Sequence, residues 1–146
     1  MIYWFTGQPG SGKTTLAKAM IEECADQCIH IDGDNLREIF QNFDYTEKGR
    51  RKNIQTVLDI CRFLDSKNFT IVVSVVAPYR EMRESLKKTN DVTEIYVHTS
   101  KIRGREKYFV DTYEPPIKDF IDIDTSQTID RCLSAISFRR SCGYRL

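Results

Sequence analysis

Residues 7–14 of this 146-residue chain read Gly-Gln-Pro-Gly-Ser-Gly-Lys-Thr, which fits the pattern GxxxxGK[ST]. An apolar run with strand composition, residues 2–6, comes before this pattern, and apolar spacing predicts a helix over residues 15–25 after it. Glycines let the backbone bend closely around an anion, so that amide N–H groups and the helix N-terminus face its oxygens. A glycine-rich turn with a chance lysine is the alternative. Strand, loop and helix in this order are typical of a phosphate-binding P-loop.

The P-loop predicts roles for its own side chains. Lys13 is expected to neutralise the β- and γ-phosphates of a nucleotide, and the Thr14 hydroxyl to ligate Mg²⁺. The expected cofactors are therefore ATP and Mg²⁺. The residues predicted to contact the nucleotide are Gly7, Gly10, Ser11, Gly12, Lys13, Thr14 and Thr15.

Composition bounds the remaining function classes. A chain of 146 residues with 40% hydrophobic and 29% charged residues fits one globular domain, residues 1–146. Its net charge of +1 offers no overall field for nucleic acid or an anionic membrane. The longest apolar stretch, residues 71–78, is too short to span a bilayer, and no signal peptide precedes the first strand. Five cysteines without a CxxC pair or zinc spacing suit a reducing cytosol, so a cytoplasmic protein is expected.

Strand and helix patterns alternate along the chain without a repeat or a linker. A polar turn is predicted at residues 32–35. The alternation favours an α/β fold, a five-stranded parallel sheet with helices on both faces, in which ligands bind at the carboxyl ends of the strands. After the first strand, strands are predicted over residues 28–31, 70–76, 94–98 and 120–123, and helices over residues 36–40, 46–68, 80–89 and 129–136.

Two carboxylates, Asp32 and Asp34, follow the second predicted strand. Phosphoryl transfer asks a protein mainly for positioning and charge neutralisation, and the P-loop supplies only the donor half. One aspartate is suited to orient metal-bound water, and the other to accept a hydrogen bond from an incoming hydroxyl and help remove its proton. The alternative is that Asp34 or Asn35 caps the following helix, although capping and catalysis are compatible.

Arginines concentrate at the predicted strand-end face. Guanidinium groups fit phosphate or sulfate oxygens bidentately, so several of them near one pocket indicate an anionic acceptor. For any single arginine, a solvated surface position is the alternative. His30 and His98 show no partner pattern and are interpreted as structural. The arginines concerned are Arg37, Arg50, Arg51, Arg80, Arg83, Arg103 and Arg105.

Five short motifs occur in the order and at nearly the spacing of one kinase family. Besides the generic P-loop with residues 5–6, the specific ones are DGDNxR at residues 32–37 and an RxxN helix start at residues 50–53. A PYR turn at residues 78–80 and Tyr-Glu-Pro-Pro at residues 113–116 complete a match that covers most of the chain. In these motifs the chain resembles the adenylylsulfate kinase family, which implies the P-loop NTPase fold.

The resemblance implies transfer of the ATP γ-phosphate to the 3′-hydroxyl of adenosine 5′-phosphosulfate (APS), giving 3′-phosphoadenosine 5′-phosphosulfate and ADP. With the roles predicted above from the residues themselves, the catalytic residues for this reaction are Lys13, Asp32 and Asp34, with Asp32 and Thr14 on the metal. The product would serve sulfate assimilation or carbohydrate sulfation, and the sequence leaves both open. The implied acceptor contacts are Asp34, Asn35 and Arg37 for the phosphosulfate, Arg50 and Asn53 for the nucleotide, Tyr45 at the adenine in place of the usual phenylalanine, and Val76, Ala77 and Arg80 along the pocket.

The chain departs from the family pattern at two places. Ala77 occupies the position of a serine proposed to carry a phosphoryl intermediate, which leaves direct in-line transfer. Residues 99–112 replace a long basic lid, and a short lid is expected to exclude water less well and relax acceptor choice. Tyr108 or Phe109 is the candidate for the missing adenine-stacking aromatic, and Arg103 or Arg105 for a cation that faces ATP.

Three other functions stay open at this point. A kinase for another nucleoside, nucleotide or sugar hydroxyl fits the short lid. A nucleotide-binding module without transfer chemistry fits the P-loop alone, although Asp32 and Asp34 argue against it. A nucleic-acid kinase would rest only on Arg139, Arg140 and Arg145, in a chain with no basic and aromatic stripe. A homodimer is an open alternative for the assembly.

Overall fold

The computed structural model describes residues 1–24 and 27–141. Strands alternate with helices along these residues, except that two helices lie between the second and third strands, and a 3₁₀ turn is found at Glu106–Tyr108. The strands are β1 (Ile2–Thr6), β2 (Cys28–Asp32), β3 (Thr70–Ser74), β4 (Val92–His98) and β5 (Phe120–Asp124). The helices are α1 (Lys13–Glu23), α2 (Gly33–Ile39), α3 (Glu47–Ser66), α4 (Arg80–Lys87) and α5 (Ile129–Ser141).

The described strands form one five-stranded parallel sheet in the order β2-β3-β1-β4-β5. β1 occupies the centre, where Trp4 pairs with Val73 on one side and with Glu94 on the other. All residues of β1 are buried, as its continuous apolar run predicts for a strand covered on both faces. The predicted α/β class and the parallel five-stranded sheet are confirmed. Chain crossover on either side of β1 opens a crevice at its carboxyl end.

Two apolar layers hold the helices on the sheet. On one face α3 and α4 cover the sheet, and Leu58 of α3 belongs to the same buried cluster as Trp4. On the other face α1 and α5 place Leu16 and Leu133 in a second cluster with Phe5. Because adjacent residues of β1 point to opposite faces, this one strand contributes to both clusters. Among the described residues, no helix combines the length and apolar character that crossing a bilayer requires.

The predicted polar turn at residues 32–35 is wrong, because α2 starts at Gly33 directly after β2. The Asp32 carboxylate accepts a hydrogen bond from the Asp34 amide at 3.2 Å and caps the helix. A Cβ on Gly33 would meet Val75 at 2.7 Å, so glycine lets the helix start close against the end of β3. The Asp32 cap and the close packing of Gly33 against Val75 thus start a helix where the polar composition predicted a turn.

Other element ends shift for identifiable reasons. α3 starts at the predicted Thr46 cap, and Asn68 takes a left-handed conformation just after its end. β3 ends two residues before the predicted Val76 because the chain turns at Ala77, which has a φ of 44°. The predicted end of α1 at Ala25, and the positions of Cys142 and Arg145, lie outside the described residues.

Candidate active site

A cleft of about 990 Å³ lies across the carboxyl ends of the strands. The P-loop, the start of α2, the start of α3, the segment after β3 and residues 103–110 form its walls. Most of the sequence-predicted site residues therefore meet in one cavity, although they come from five separate segments. Those that line it are Gly10, Gly12, Lys13, Thr14, Thr15, Asp32, Asp34, Arg37, Tyr45, Arg50, Asn53, Val76, Ala77 and Arg103.

Glycine is required at the bends of the P-loop. Gly10 and Gly12 have φ angles of 78° and 103°, a left-handed backbone that residues with a side chain rarely adopt. A Cβ on Gly7 would overlap the carbonyl oxygen of Val97, so this residue passes too close to β4 for a side chain. Gly7 and Ser11 of the P-loop do not line the cleft. The Ser11 carbonyl accepts a hydrogen bond from the Thr125 hydroxyl.

Lys13 lies at the base of the cleft, only 8% exposed. Its Nζ donates to the Gln8 carbonyl at 2.8 Å. Burial lowers the pKa of Lys13 to about 8; the negative charges of Asp34 and Asp32 oppose this shift, and the charge of Arg105 adds to it. The ammonium group therefore lies within electrostatic reach of both carboxylates.

The aspartate pair has two distinct environments. Asp32 is half-buried and uses one carboxylate oxygen as the cap of α2, while Asp34 is exposed to the cleft from the first turn. The alternative in which Asp34 or Asn35 caps α2 is wrong, since Asp32 is the capping residue. Neither oxygen of Asp34 accepts a hydrogen bond from the described part of the chain, so its side chain is open to an incoming hydroxyl.

Arg37 holds the loop between α2 and α3 and is itself only 6% exposed. Its Nη1 donates to the carbonyls of Asn42 at 2.9 Å and Asp44 at 3.0 Å. The guanidinium also lies 4.3 Å from the ring centre of Tyr45, which is 58% exposed. Arg37 therefore fixes the segment that presents Tyr45 to the cleft, a role that the sequence did not indicate.

The first turns of α3 supply Arg50 and Asn53. Thr46 caps the helix by accepting from the Gly49 amide at 3.4 Å. A Cβ on Gly49 would overlap the Asp44 carbonyl oxygen, so glycine lets the loop fold back on the helix. Asn53 is buried and Arg50 is half-buried, and both face the cavity.

Two predicted acceptor residues lie outside the cleft wall. Asn35 is exposed on α2, and its role stays a prediction. Arg80 begins α4, where its Nε donates to the Pro115 carbonyl at 2.8 Å. Its backbone amide is held by the Glu114 carboxylate at 3.1 Å. Because Arg80 links α4 to the Tyr-Glu-Pro-Pro stretch, the geometry does not favour its predicted acceptor contact.

Residues 75–78 form a wall of the cleft, and the carbonyl groups of residues 76–78 each accept a hydrogen bond. The Thr6 hydroxyl donates to the Val76 carbonyl at 2.7 Å, and the Glu114 amide donates to the Pro78 carbonyl at 2.8 Å. Arg83 donates to the Ala77 carbonyl at 2.6 Å. These bonds hold Ala77 in its left-handed conformation, which costs on the order of 1 kcal/mol for a residue with a side chain.

Arg83 is a buried structural residue, which corrects its prediction as one of the anion-facing arginines. Its Nε pairs with Glu94 at 2.7 Å, with both side chains 1% exposed, and its Nη2 donates to the Glu114 carbonyl at 2.6 Å. Lys87 holds the second oxygen of Glu94 at 2.6 Å. The guanidinium thus joins α4, β4 and the wall of the cleft.

Replacing Arg83 with methionine is expected to lower the free energy of unfolding by about 3–5 kcal/mol, because it leaves a buried carboxylate short of a partner. Urea denaturation measures the change. Arg62→Met is the matched control, since Arg62 pairs with Asp59 at 3.4 Å on the exposed side of α3 and should cost less than about 1 kcal/mol. An Arg83→Met variant as stable as Arg62→Met would contradict the structural role.

Residues 99–112 form the lid, which is short and reaches the P-loop. Arg103 donates through Nη1 to the Gly10 carbonyl at 3.3 Å and through Nη2 to the Thr125 carbonyl at 2.8 Å. The guanidinium of Arg103 therefore supports the P-loop while it lines the cavity. The lid residues that line the cleft beside it are Arg105, Lys107, Tyr108, Phe109 and Val110.

The cleft carries an excess of positive charge that the whole chain lacks. Among the described residues, six cationic side chains line it against three carboxylates, in a chain of net charge +1. Such a cavity favours anionic ligands. Lys107 and Glu38 belong to this set without having been predicted, because no motif marks either residue. The cations are Lys13, Arg37, Arg50, Arg103, Arg105 and Lys107, and the carboxylates are Asp32, Asp34 and Glu38.

The chain is similar to known adenylylsulphate kinases. The family model for adenylylsulphate kinase matches residues 1–124. The chain is 28% identical to a probable adenylyl-sulfate kinase of Pseudomonas aeruginosa, over 98% of this chain and 78% of that protein. It is also 28% identical to the adenylyl-sulfate kinase of Chloroflexus aurantiacus, over 91% of this chain and 84% of that protein.

A solved structure shares the fold. The APS kinase of Mycobacterium tuberculosis in complex with AMPPNP and APS has a TM-score of 0.78 and 19% identity to this chain, covering 95% of this chain and 96% of that one. The P-loop NTPase fold is thereby confirmed. Because the family model spans the P-loop, the aspartate pair and all five described strands, the chain belongs to the adenylylsulphate kinase family of P-loop kinases.

Proposed function

We propose that this protein transfers the γ-phosphate of ATP to the 3′-hydroxyl of APS. The observation that carries the proposal is a single cleft in which the P-loop meets the residues predicted to hold the acceptor, with Lys13, Asp32 and Asp34 in its lining. Family membership supports the same reaction. In the reaction the 3′-oxygen forms a bond to the γ-phosphorus, the bond from that phosphorus to the β-bridging oxygen breaks, and ADP leaves.

On the donor side, the P-loop amides and Lys13 would hold the phosphates. Lys13 is buried at the base of the cleft, where its charge is poorly screened by water and acts strongly on a phosphoryl group. Arg105 and Lys107 add positive charge from the lid. Charge that develops on the transferring group is thus stabilised by side chains already in place.

On the metal side, the structure offers oxygen ligands that fit Mg²⁺. The ion keeps several waters and is bound in kinases by one or two protein oxygens together with phosphates. Within the described residues the Thr14 hydroxyl makes no hydrogen bond, and one Asp32 oxygen is not used by the α2 cap. We assign Thr14 and Asp32 to hold the ion. At this position Mg²⁺ would neutralise charge on the phosphates of the nucleotide.

On the acceptor side, Asp34 would take the proton from the attacking hydroxyl. Its exposed carboxylate has no competing hydrogen bond from the described residues, and its charge reaches Lys13. Tyr45 offers an exposed aromatic face for the adenine, held from behind by Arg37. Arg50 and Asn53 of α3 line the same cleft as Tyr45 and would hold the nucleotide.

A coupled ADP assay tests the proposal. Purified protein with ATP, Mg²⁺ and APS should form ADP and 3′-phosphoadenosine 5′-phosphosulfate in equal amounts. AMP, adenosine and a sugar serve as alternative acceptors in parallel reactions. Turnover of one of these with none on APS would overturn the acceptor, and ADP formation no faster than ATP alone with every acceptor would overturn the kinase activity.

The proposal also covers the cellular location and the oligomeric state of the protein. We propose a cytoplasmic location, supported by the free thiols of Cys24, Cys61 and Cys132 among the described residues. A homodimer stays a prediction for the assembly. Analytical ultracentrifugation of the purified protein, with and without nucleotide, distinguishes a dimer from a monomer.

A further inference from the structure

Gln8 of the P-loop forms a paired contact with the lid. Its side-chain Nε2 donates to the Val110 carbonyl at 2.9 Å, and its Oε1 accepts from the Val110 amide at 2.9 Å. Val110 is 7% exposed, so both of its backbone groups lie where water competes poorly. The backbone carbonyl of Gln8 also accepts from Lys13 at 2.8 Å. One residue therefore connects the lid, the P-loop and the phosphate-binding lysine.

The lid is thus hydrogen-bonded to the P-loop by side chains at two points, and between them the Arg105 side chain packs closely against Gly10. Arg103 contacts the Gly10 carbonyl near the start of the lid, and Gln8 holds Val110 near its end. Between the two attachments, Gly104 has a φ of 78° and no atom within 4 Å of a Cβ built on it, so the chain there has little packing of its own. The placement of the residues in between depends on the attachments.

Those intervening residues include the cleft-facing groups of the lid. Arg105, Lys107, Tyr108 and Phe109 all line the cavity. Tyr108 and Phe109 are about half exposed, and Arg105 lies 5.3 Å from the Tyr108 ring centre. Because these two rings are so exposed, burial fixes the segment only weakly, so the hydrogen bonds at its ends and the packing of Arg105 against Gly10 hold it in position.

We propose that Gln8 is a positioning residue that holds the lid over the cleft before a nucleotide binds. A primary amide supplies both a donor and an acceptor, so it alone pairs with both backbone groups of Val110. An apolar side chain would leave the buried Val110 amide without a partner and its carbonyl with the Tyr113 amide alone, and asparagine is one methylene too short to reach both. The kinetic part of this inference rests on the proposed function, whereas the position of the lid does not.

Limited proteolysis with trypsin tests the position of the lid. Wild-type protein without nucleotide should resist cleavage after Arg103, Arg105 and Lys107. Gln8→Met, nearly equal in volume, should be cleaved at these sites about tenfold faster, because cleavage follows the open fraction of the lid and the loss of two neutral hydrogen bonds should raise that fraction by roughly this factor. AMPPNP should restore protection. Gln8→Asn should match Gln8→Met, and Gln55→Met on the exposed side of α3 should match the wild type.

Kinetics separates positioning from general stability. If the lid of Gln8→Met is closed in only a fraction of the molecules, the KM for ATP should rise about tenfold, since apparent affinity falls with the competent fraction. The kcat at saturating ATP should stay within about twofold, because bound nucleotide selects the closed lid. A purely structural role predicts faster cleavage throughout the chain with an unchanged KM.

The outcomes are therefore distinct. Lid cleavage in Gln8→Met at the wild-type rate, or cleavage spread evenly over the chain, would overturn the positioning role. Protection of the lid by AMPPNP does not require APS as the acceptor, so a failed APS assay with selective lid cleavage would overturn the proposed function and leave the role of Gln8 in place.

Discussion

Lys13→Ala is expected to lower kcat/KM for ATP at least about 100-fold, as the loss of one preorganised charge partner of a transition state does. The lysine is buried at the base of the cleft and lies within reach of the charges of Asp32 and Asp34, so no water-exposed cation can replace it at short range. Steady-state ADP release with varied ATP measures the effect.

Lys18→Ala is the matched control, since Lys18 is an exposed lysine of the same helix and does not line the cleft. It should retain wild-type kinetics. A Lys13→Ala variant within tenfold of the wild type would contradict the role of Lys13, provided that both variants give the wild-type circular dichroism spectrum.

The pH dependence of the wild type reports on the same group. Because burial lowers the pKa of Lys13 to about 8, the free enzyme loses the charge as the pH rises through that value. The kcat/KM for ATP follows the free enzyme and should fall above about pH 8. Bound phosphates favour the ammonium, so kcat should decline only at higher pH. A kcat/KM that is flat up to about pH 9.5 would contradict this combination of a lowered pKa and a required charge, since only a lysine near its ordinary pKa of about 10.4 stays charged there.

The parts of the site that could be predicted from the sequence depend on local geometry. The bends of the P-loop need glycine, and a strand followed by a helix fixes which way Lys13 and Thr14 point. The aspartate pair could be placed because the carboxyl ends of parallel strands meet at one edge. Even there, the sequence did not show that Asp32 rather than Asp34 caps α2. That choice depends on how closely the start of α2 packs against the end of β3.

The sequence alone could not separate the arginines by role, because each role depends on the partners that the fold brings to the side chain. Arg37, Arg83 and Arg103 are alike in sequence, yet the first fixes a loop, the second is buried against Glu94, and the third supports the P-loop. Their partners lie 5 to 93 positions away in the chain. A guanidinium group satisfies a carbonyl, a carboxylate or a phosphate with the same geometry, so the surroundings decide its function.

The lid shows the same limit. Its aromatic and basic residues were expected to face the nucleotides, and Arg103, Arg105, Tyr108 and Phe109 do line the cleft. The residue that determines their position, Gln8, lies in the P-loop and is separated from Val110 by 102 positions. The pattern GxxxxGK[ST] accepts any residue there, so the motif carries no information about this contact.

Asp34→Asn is expected to lower kcat by about 10²–10⁴-fold, the usual contribution of a general base. The KM for ATP should change by less than about twofold, because asparagine keeps the shape of the side chain and the P-loop stays intact. The exposed carboxylate of Asp34 accepts no hydrogen bond from the described residues, so the substitution breaks no structural contact. ADP release at saturating ATP and APS measures kcat.

Asp32→Asn separates the two carboxylates. Asparagine caps a helix as well as aspartate, so α2 should persist and any loss would report on metal binding. This variant should need more Mg²⁺ for half-maximal rate, whereas Asp34→Asn should keep the wild-type requirement. If Asp34→Asn instead turned over at the wild-type rate, the proton would have to leave the hydroxyl by another route, and turnover would need neither the basicity of Asp34 nor its charge near Lys13.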